Sequence, residues 1–225
     1  MGILYIVATP IGNLEDITLR ALRVLKEVDV ILCEDTRMTK RVLDRHEILD
    51  KHLLTYNEER SGIKVEKIVQ LLSEGKNLAL VTDAGTPGIS DPGSYLVKQI
   101  RVAMPEAKIE SVPGPSALTT AFSIAGVPVA DFTFLGFLPH KKGRETLFKE
   151  IAASERAMVF YESPHRILKT FESLIKFAPS KKVTICRELT KIHEEVKMGT
   201  PAELLEFFTS NAEKVRGEFV VIVHP

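Results

Sequence analysis

An apolar strand from Asn77 to Thr82 runs without a break into Asp83-Ala84-Gly85-Thr86-Pro87-Gly88-Ile89-Ser90-Asp91-Pro92-Gly93, a connection that helix propensity does not explain. Its three glycines, two prolines and two aspartates fix the backbone and leave N–H groups and carboxylates to face a small polar ligand. The plainer alternative is a long surface turn, and the density of punctuation argues against it.

The first half repeats this pattern. Ile3 to Ala8 is an apolar run of buried-strand length, followed by the turn Thr9-Pro10-Ile11-Gly12-Asn13 and a helix carrying Leu19, Leu22, Val24 and Leu25. Val28 to Cys33 predicts a second strand, ending in Glu34-Asp35-Thr36-Arg37 before a basic helix with Lys40, Arg41 and Arg45. His52 to Tyr56 is a short strand, Ile63 to Ser73 a helix, Ser94 to Met104 a helix stopped by Pro105, and Lys108 to Val112 a strand. Strands alternating with helices predict an α/β fold, in which ligands gather at the carboxyl ends of parallel strands. The first turn lacks Gly-x-Gly-x-x-Gly, so no dinucleotide fingerprint is present.

Pro113-Gly114-Pro115 is the best boundary, because a double proline cannot continue a central strand and Ser116 can cap the helix through Ala117, Leu118, Ala121, Phe122 and Ile124. It predicts one α/β domain over residues 1–112 and another over 113–225. In the second, Phe132 to Phe137 reads as a strand before the basic loop Pro139-His140-Lys141-Lys142-Gly143-Arg144. That loop suits phosphate contact, although a lysine pair is often only solvated surface. Ala157 to Tyr161 is a strand ending in Glu162-Ser163-Pro164-His165-Arg166, and a helix spans Ile167 to Phe177. Val183 to Cys186 is a strand ending in Arg187-Glu188-Leu189-Thr190-Lys191, a helix spans Pro201 to Ser210, and a strand runs from Gly217 to Val223.

With 30 basic and 30 acidic residues the chain of 225 has no net charge, so a polyanion would have to be met by a local patch. Cys33 and Cys186 lie in apolar strand runs, which suits buried thiols in a reducing compartment; with no basic leader or membrane-length apolar run, the expected location is cytoplasmic. His165 and His193 lack partners at zinc spacing, Ser163 is not in a Gly-x-Ser-x-Gly elbow, and there is no Walker motif. No metal is expected.

Seven motifs carry a resemblance: Val7-Ala8-Thr9-Pro10-Ile11-Gly12-Asn13, Glu34-Asp35-Thr36-Arg37, Thr82 through Gly93, Val112-Pro113-Gly114-Pro115-Ser116-Ala117, Gly136-Phe137-Leu138-Pro139, Phe160-Tyr161-Glu162-Ser163-Pro164-His165-Arg166 and Arg187-Glu188-Leu189-Thr190-Lys191. In this order, over nearly the whole chain, they resemble the tetrapyrrole methylase superfamily. The Asp-Ala-Gly-Thr-Pro and Tyr-Glu-Ser-Pro-His-Arg wording is similar to its rRNA-methylating branch, which acts on the 2′-hydroxyl of a cytidine in 16S rRNA. The resemblance implies two α/β domains with S-adenosylmethionine in the cleft between them, S-adenosylhomocysteine as product, a homodimer, and the small ribosomal subunit or an assembly intermediate as partner. It implies cofactor contacts at Pro10, Asp83, Ala84, Gly85, Thr86, Ile89, Ser116, Ala117, Glu162 and Leu189.

Methyl transfer from a sulfonium is an in-line displacement, and a ribose hydroxyl is a poor nucleophile until it loses its proton. A base, or a cation stabilising the developing alkoxide, is therefore expected, and the candidates are Glu162, Arg187, Glu188 and Lys191, with Arg166 beside them. Arg187 and Glu188 have the alternative of simply pairing to hold two loops. Many relatives continue past the final strand; with the chain ending at Pro225, the grip on RNA is expected from Lys141, Lys142, Arg144 and Arg166, and from Arg37, Lys40 and Arg41. Two other functions fit less of the wording: methylation of a tetrapyrrole or other small molecule, and a non-catalytic S-adenosylmethionine-binding module.

Overall fold

The computed structural model describes residues 1–56, 62–91, 93–127 and 130–225; Pro92, within the long glycine-proline connection, lies outside the described residues. The chain divides into two compact units, Met1–Ser116 and Ala117–Pro225.

The first unit holds β1 (Ile3–Val7), α1 (Leu19–Glu27), β2 (Val30–Cys33), α2 (Thr36–Arg45), β3 (His52–Thr55), α3 (Val65–Ser73), β4 (Leu78–Leu80), α4 (Ser94–Ala103) and β5 (Lys108–Val112). The strands form one parallel sheet in the order β3-β2-β4-β1-β5. Apolar runs rather than alternation mark β1, β2 and β4 because both sheet faces are covered. On one face Val24 and Leu25 of α1 and Leu43 of α2 pack with Val7, Ile31, Cys33 and Ala79. On the other, Ile68 and Leu72 of α3 and Leu96 and Ile100 of α4 pack with Leu4, Val30, Leu32 and Leu78. One expectation for α1 fails: Leu19 is 87% exposed, because it opens the helix, and Ala21, Val24 and Leu25 supply the buried face.

The second unit holds α5 (Ala117–Ile124), β6 (Phe132–Phe137), α6 (Arg144–Ala153), β7 (Ala157–Glu162), α7 (Ile167–Phe177), β8 (Val183–Arg187), β9 (Glu195–Gly199), α8 (Pro201–Ser210) and β10 (Phe219–Val223). Its sheet, β6-β7-β10-β8-β9, is mixed: β6 is parallel to β7, and β10 runs antiparallel to both β7 and β8. Phe148, Phe171, Leu174, Leu204 and Phe208 of α6, α7 and α8 cover one face. Thr200 caps α8 in a reciprocal capping box with Glu203, with Pro201 in the first turn. The sequence reading passes over α6 and β9. The weak pattern of β9 has a physical cause: it is an edge strand with Val196, Lys197 and Met198 all exposed, so no buried face imprints a period of two.

Both cysteines are free and buried, and Cys186 donates to the Ala121 carbonyl at 3.8 Å. Burial, followed by the charge of Glu194, pushes the Cys186 thiol up to about 12, and burial likewise raises Cys33. Both thiols therefore stay protonated near neutral pH. The expected result with an aromatic disulfide reagent at pH 8 is negligible reaction in the native protein and two reactive thiols after denaturation; prompt native labelling would contradict this packing.

Candidate active site

In the first sheet, the adjacent strands β1 and β4 send their chains to opposite faces, β1 to α1 and β4 to α4. Such a switch point opens a crevice outside the carboxyl ends of the strands. The loops there interlock. Thr9 and Gly85 exchange backbone hydrogen bonds, with N···O distances of 2.9 and 3.1 Å, and the Thr9 hydroxyl donates to the Thr82 carbonyl at 3.0 Å. The Thr86 hydroxyl donates to the Pro115 carbonyl at 3.3 Å, which ties in the segment after β5. Pro10, Asp83, Ala84, Gly85, Thr86, Ile89 and Ser116 are thus brought to one edge of one sheet. The amides of Ala84 and Thr86 have no acceptor among the described residues.

The Glu34-Asp35-Thr36-Arg37 turn joins that edge from β2. The Asp35 amide donates to Asp83 at 3.2 Å, and Asp35 caps α2 by accepting from the Arg37 amide at 2.8 Å. The Arg37 guanidinium beside Asp35 holds its carboxyl down at about 2. Glu34 and Asp83 move the other way, each pushed up first by partial desolvation and then by a neighbouring carboxylate, Asp83 for Glu34 and Asp35 for Asp83.

In the second sheet three loops share one edge, because β6, β7 and β8 all end where β10 begins. Glu162 and Arg187 lie on either side of Phe219. Glu162 is 1% exposed. Its carboxyl accepts from Thr170 Oγ1 at 2.7 Å and from the Ser163 amide at 2.9 Å, and Arg166 Nε lies 3.0 Å away. Arg144 donates to Thr170 at 2.8 Å and to the Pro139 carbonyl at 3.3 Å, its Nη1 is 3.9 Å from Glu162, and its guanidinium sits over the Phe148 ring. Arg166 also donates to the Leu138 carbonyl. Both arginines are therefore turned inward onto Glu162, whereas Lys141 and Lys142 stand exposed with no carboxylate partner among the described residues.

At the end of β8, Arg187 is 7% exposed; it donates to the His193 carbonyl at 3.1 Å and pairs with Glu195 at 3.4 Å. Lys191 donates to Glu188 at 2.8 Å and to Glu218 at 2.7 Å, and Glu188 also accepts from the Glu218 amide at 3.1 Å. Burial opposes the Glu188 charge, but Lys191 and that amide outweigh it and hold the carboxyl below its usual value. Burial likewise opposes the Lys191 charge, and the two carboxylates outweigh it, so Lys191 is raised. Glu188 and Thr190 have φ of 52° and 64°, so the buried Leu189 is flanked by two non-glycine residues in left-handed backbone. Each such residue costs of order 1–3 kcal/mol, a strain that clusters at ligand sites. Ala117, Glu162 and Leu189 are the remaining residues expected at the cofactor.

Sequence reading missed Thr170, Glu195, Gly217 and Glu218. Glu218 faces Glu188 only because β10 inserts between β7 and β8, and no local spacing carries that pairing. Among the described residues no group of three His, Cys, Asp or Glu side chains is arranged to hold a metal ion, and no helix is long and apolar enough to cross a membrane.

The family model of the Tetrapyrrole (Corrin/Porphyrin) Methylases matches residues 3–205. Among curated proteins, one named ribosomal RNA small subunit methyltransferase I from Thermotoga maritima is 46% identical over 99% of this chain and 98% of its own length. A protein of the same name from Escherichia coli O157:H7 is 44% identical over 99% of this chain and 77% of its own. Among solved structures, the methyltransferase CobJ superposes with a TM-score of 0.71 at 19% identity, covering 100% of this chain and 94% of that one. A uroporphyrin-III-C-methyltransferase from Thermus thermophilus gives 0.69 at 21%, with the same coverage. At those identities the superpositions speak for the fold, while the relatives above 40%, each matched over 99% of this chain, speak for the branch. This chain belongs to the tetrapyrrole methylase family, among the relatives named ribosomal RNA small subunit methyltransferase I.

Proposed function

We propose that this chain is an S-adenosylmethionine-dependent methyltransferase that methylates the ribose 2′-hydroxyl of a cytidine in 16S rRNA, acting in the cytoplasm as a homodimer on the small ribosomal subunit or an assembly intermediate. The observation that carries it is the 46% identity to a relative of that name over nearly the full length of both chains. The donor set suits the cofactor: Ala84 and Thr86 offer amides without a protein acceptor among the described residues, and Asp83 offers a carboxyl, beside a Thr9–Gly85 bridge that fixes their positions. Pro10, Asp83, Ala84, Gly85, Thr86, Ile89, Ser116, Ala117, Glu162 and Leu189 would hold it. When bound, S-adenosylmethionine supplies an electrophilic methyl group on a sulfonium.

The chain's own residues divide the remaining work. Glu162 anchors the 162–166 turn through Arg144, Arg166 and Thr170, which makes it a positioning group. Lys191 is held as a cation between Glu188 and Glu218, and Glu188 as an anion, so neither is poised as a general base at neutral pH. Lys191 instead would donate its remaining N–H to the oxygen as the hydroxyl loses its proton to solvent water, and Glu188 and Arg187 fix the loop that carries it.

The test is transfer of labelled methyl to small subunits and to naked 16S rRNA, both from cells lacking the enzyme, followed by mapping of the labelled nucleotide. Label on a cytidine ribose is the expected result. No label on either, with the cofactor still bound, would redirect the search to small-molecule acceptors. In the same assay Lys191→Ala is expected to lower kcat about 100-fold with little change in cofactor affinity by calorimetry. An unchanged kcat would remove Lys191 from the mechanism.

A further inference from the structure

The strand β6 carries an irregularity in its pairing with β7. Phe134 pairs with Val159 and Phe137 with Tyr161, so three residues of β6 advance against two of β7. The extra residue lies at Leu135-Gly136, where Gly136 takes a φ of 62° that only glycine adopts at no cost. In a regular strand Phe134 and Phe137, three apart, would point to opposite faces. The bulge returns Phe137 to the face of Phe134, and both rings meet Tyr161 edge-on, with centroids 5.0 and 5.5 Å away. Leu135 packs into the helix-covered core, while Phe137 remains 57% exposed. The bulge thus leaves a large aromatic side chain partly in solvent, immediately before the loop carrying His140, Lys141 and Lys142.

Resting on the proposed RNA substrate, we infer that Phe137, braced by Tyr161, is a stacking platform for a nucleobase next to or at the methylated ribose, with Lys141 and Lys142 meeting the adjoining phosphates. An exposed ring with paired lysines four and five residues on combines a π-face with positive charge, the chemistry that single-stranded RNA recognition uses. The exposed lysines carry no carboxylate partner among the described residues, so their charge remains available to phosphate.

The chain contains no tryptophan, so Phe137→Trp places a single fluorophore on the platform. The expected result is quenching of the emission of Phe137→Trp on titration with a cytidine-containing 16S rRNA fragment. Phe137→Leu, which keeps apolar bulk without a π-face, is expected to weaken binding of the same fragment about 5- to 100-fold while its melting temperature and cofactor affinity stay as in the native protein. Native affinity in Phe137→Leu, or emission of Phe137→Trp indifferent to RNA, would overturn the inference while native methyl transfer to small subunits still stood. A change from dimer to monomer in Phe137→Leu by analytical ultracentrifugation, with RNA affinity per chain unaltered, would assign the ring to a second copy instead. If the native protein transfers no methyl to RNA, the substrate reading fails and this inference with it.

Discussion

Glu162→Ala is expected to destabilise the protein by about 3–5 kcal/mol, because it leaves two part-buried guanidiniums, Arg144 and Arg166, facing an empty site. The pair of arginines cannot neutralise, and Thr170, 0% exposed, loses its acceptor as well. For a chain of this size that energy corresponds to a fall in melting temperature of roughly 10 °C. Glu162→Gln keeps the shape and an acceptor oxygen but removes the charge, and is expected to fall between the native protein and the alanine variant. Thermal unfolding followed alongside kcat decides what the residue does. A group that anchors the turn loses stability and activity together, whereas a catalytic base would lose kcat in Glu162→Gln at native melting temperature. That second outcome would sink the positioning role.

The substitution Gly217→Ala is expected to disable the β8 loop from a distance. Gly217 has a φ of 80°, and a Cβ there would lie 2.1 Å from Glu188 Oε1. The backbone strain alone costs of order 1–3 kcal/mol. The clash adds to it, because Glu188 is held in place by Lys191 and the Glu218 amide and cannot swing aside without breaking both hydrogen bonds. A double-mutant cycle separates the two costs. In a Glu188→Ala background the three atoms nearest that methyl group, all of the Glu188 side chain, are gone, so Gly217→Ala should cost little beyond the backbone strain there and distinctly more in the native chain. Methyl transfer by Gly217→Ala should fall with that of Glu188→Ala, since both release Lys191 from one of its two carboxylates. An equal cost in both backgrounds would mean that Glu188 is not fixed where the structure places it.

Local order was legible wherever a pattern is local. The buried runs at Ile3, Val30 and Leu78 announce strands covered on both faces, and Pro201 in a first turn announces the start of α8. Where the pattern is blurred the reading failed: β9 has no buried face, and Leu19 fits the helical period yet lies in solvent. The candidate site was legible as a set of polar clusters that follow apolar strands, and the wording of those clusters sufficed to find the family.

What the sequence by itself determined was the alternation of strands and helices and the polar loop at the end of each strand, since these depend on periods of two and 3.6 residues and on Gly and Pro at fixed positions. Only the tertiary structure decided which loops meet and which way their charges face. The orders β3-β2-β4-β1-β5 and β6-β7-β10-β8-β9 are not sequential, so Thr9 bonds to Gly85 and Glu188 to the Glu218 amide across long stretches of chain. From sequence Arg144 and Arg166 are expected to grip RNA; the structure turns both onto a carboxyl that is 1% exposed. The reason is physical: a charged side chain is drawn inward only when burial, counter-charge and hydrogen bonds from several distant segments together outweigh its hydration, and no window of sequence contains that sum.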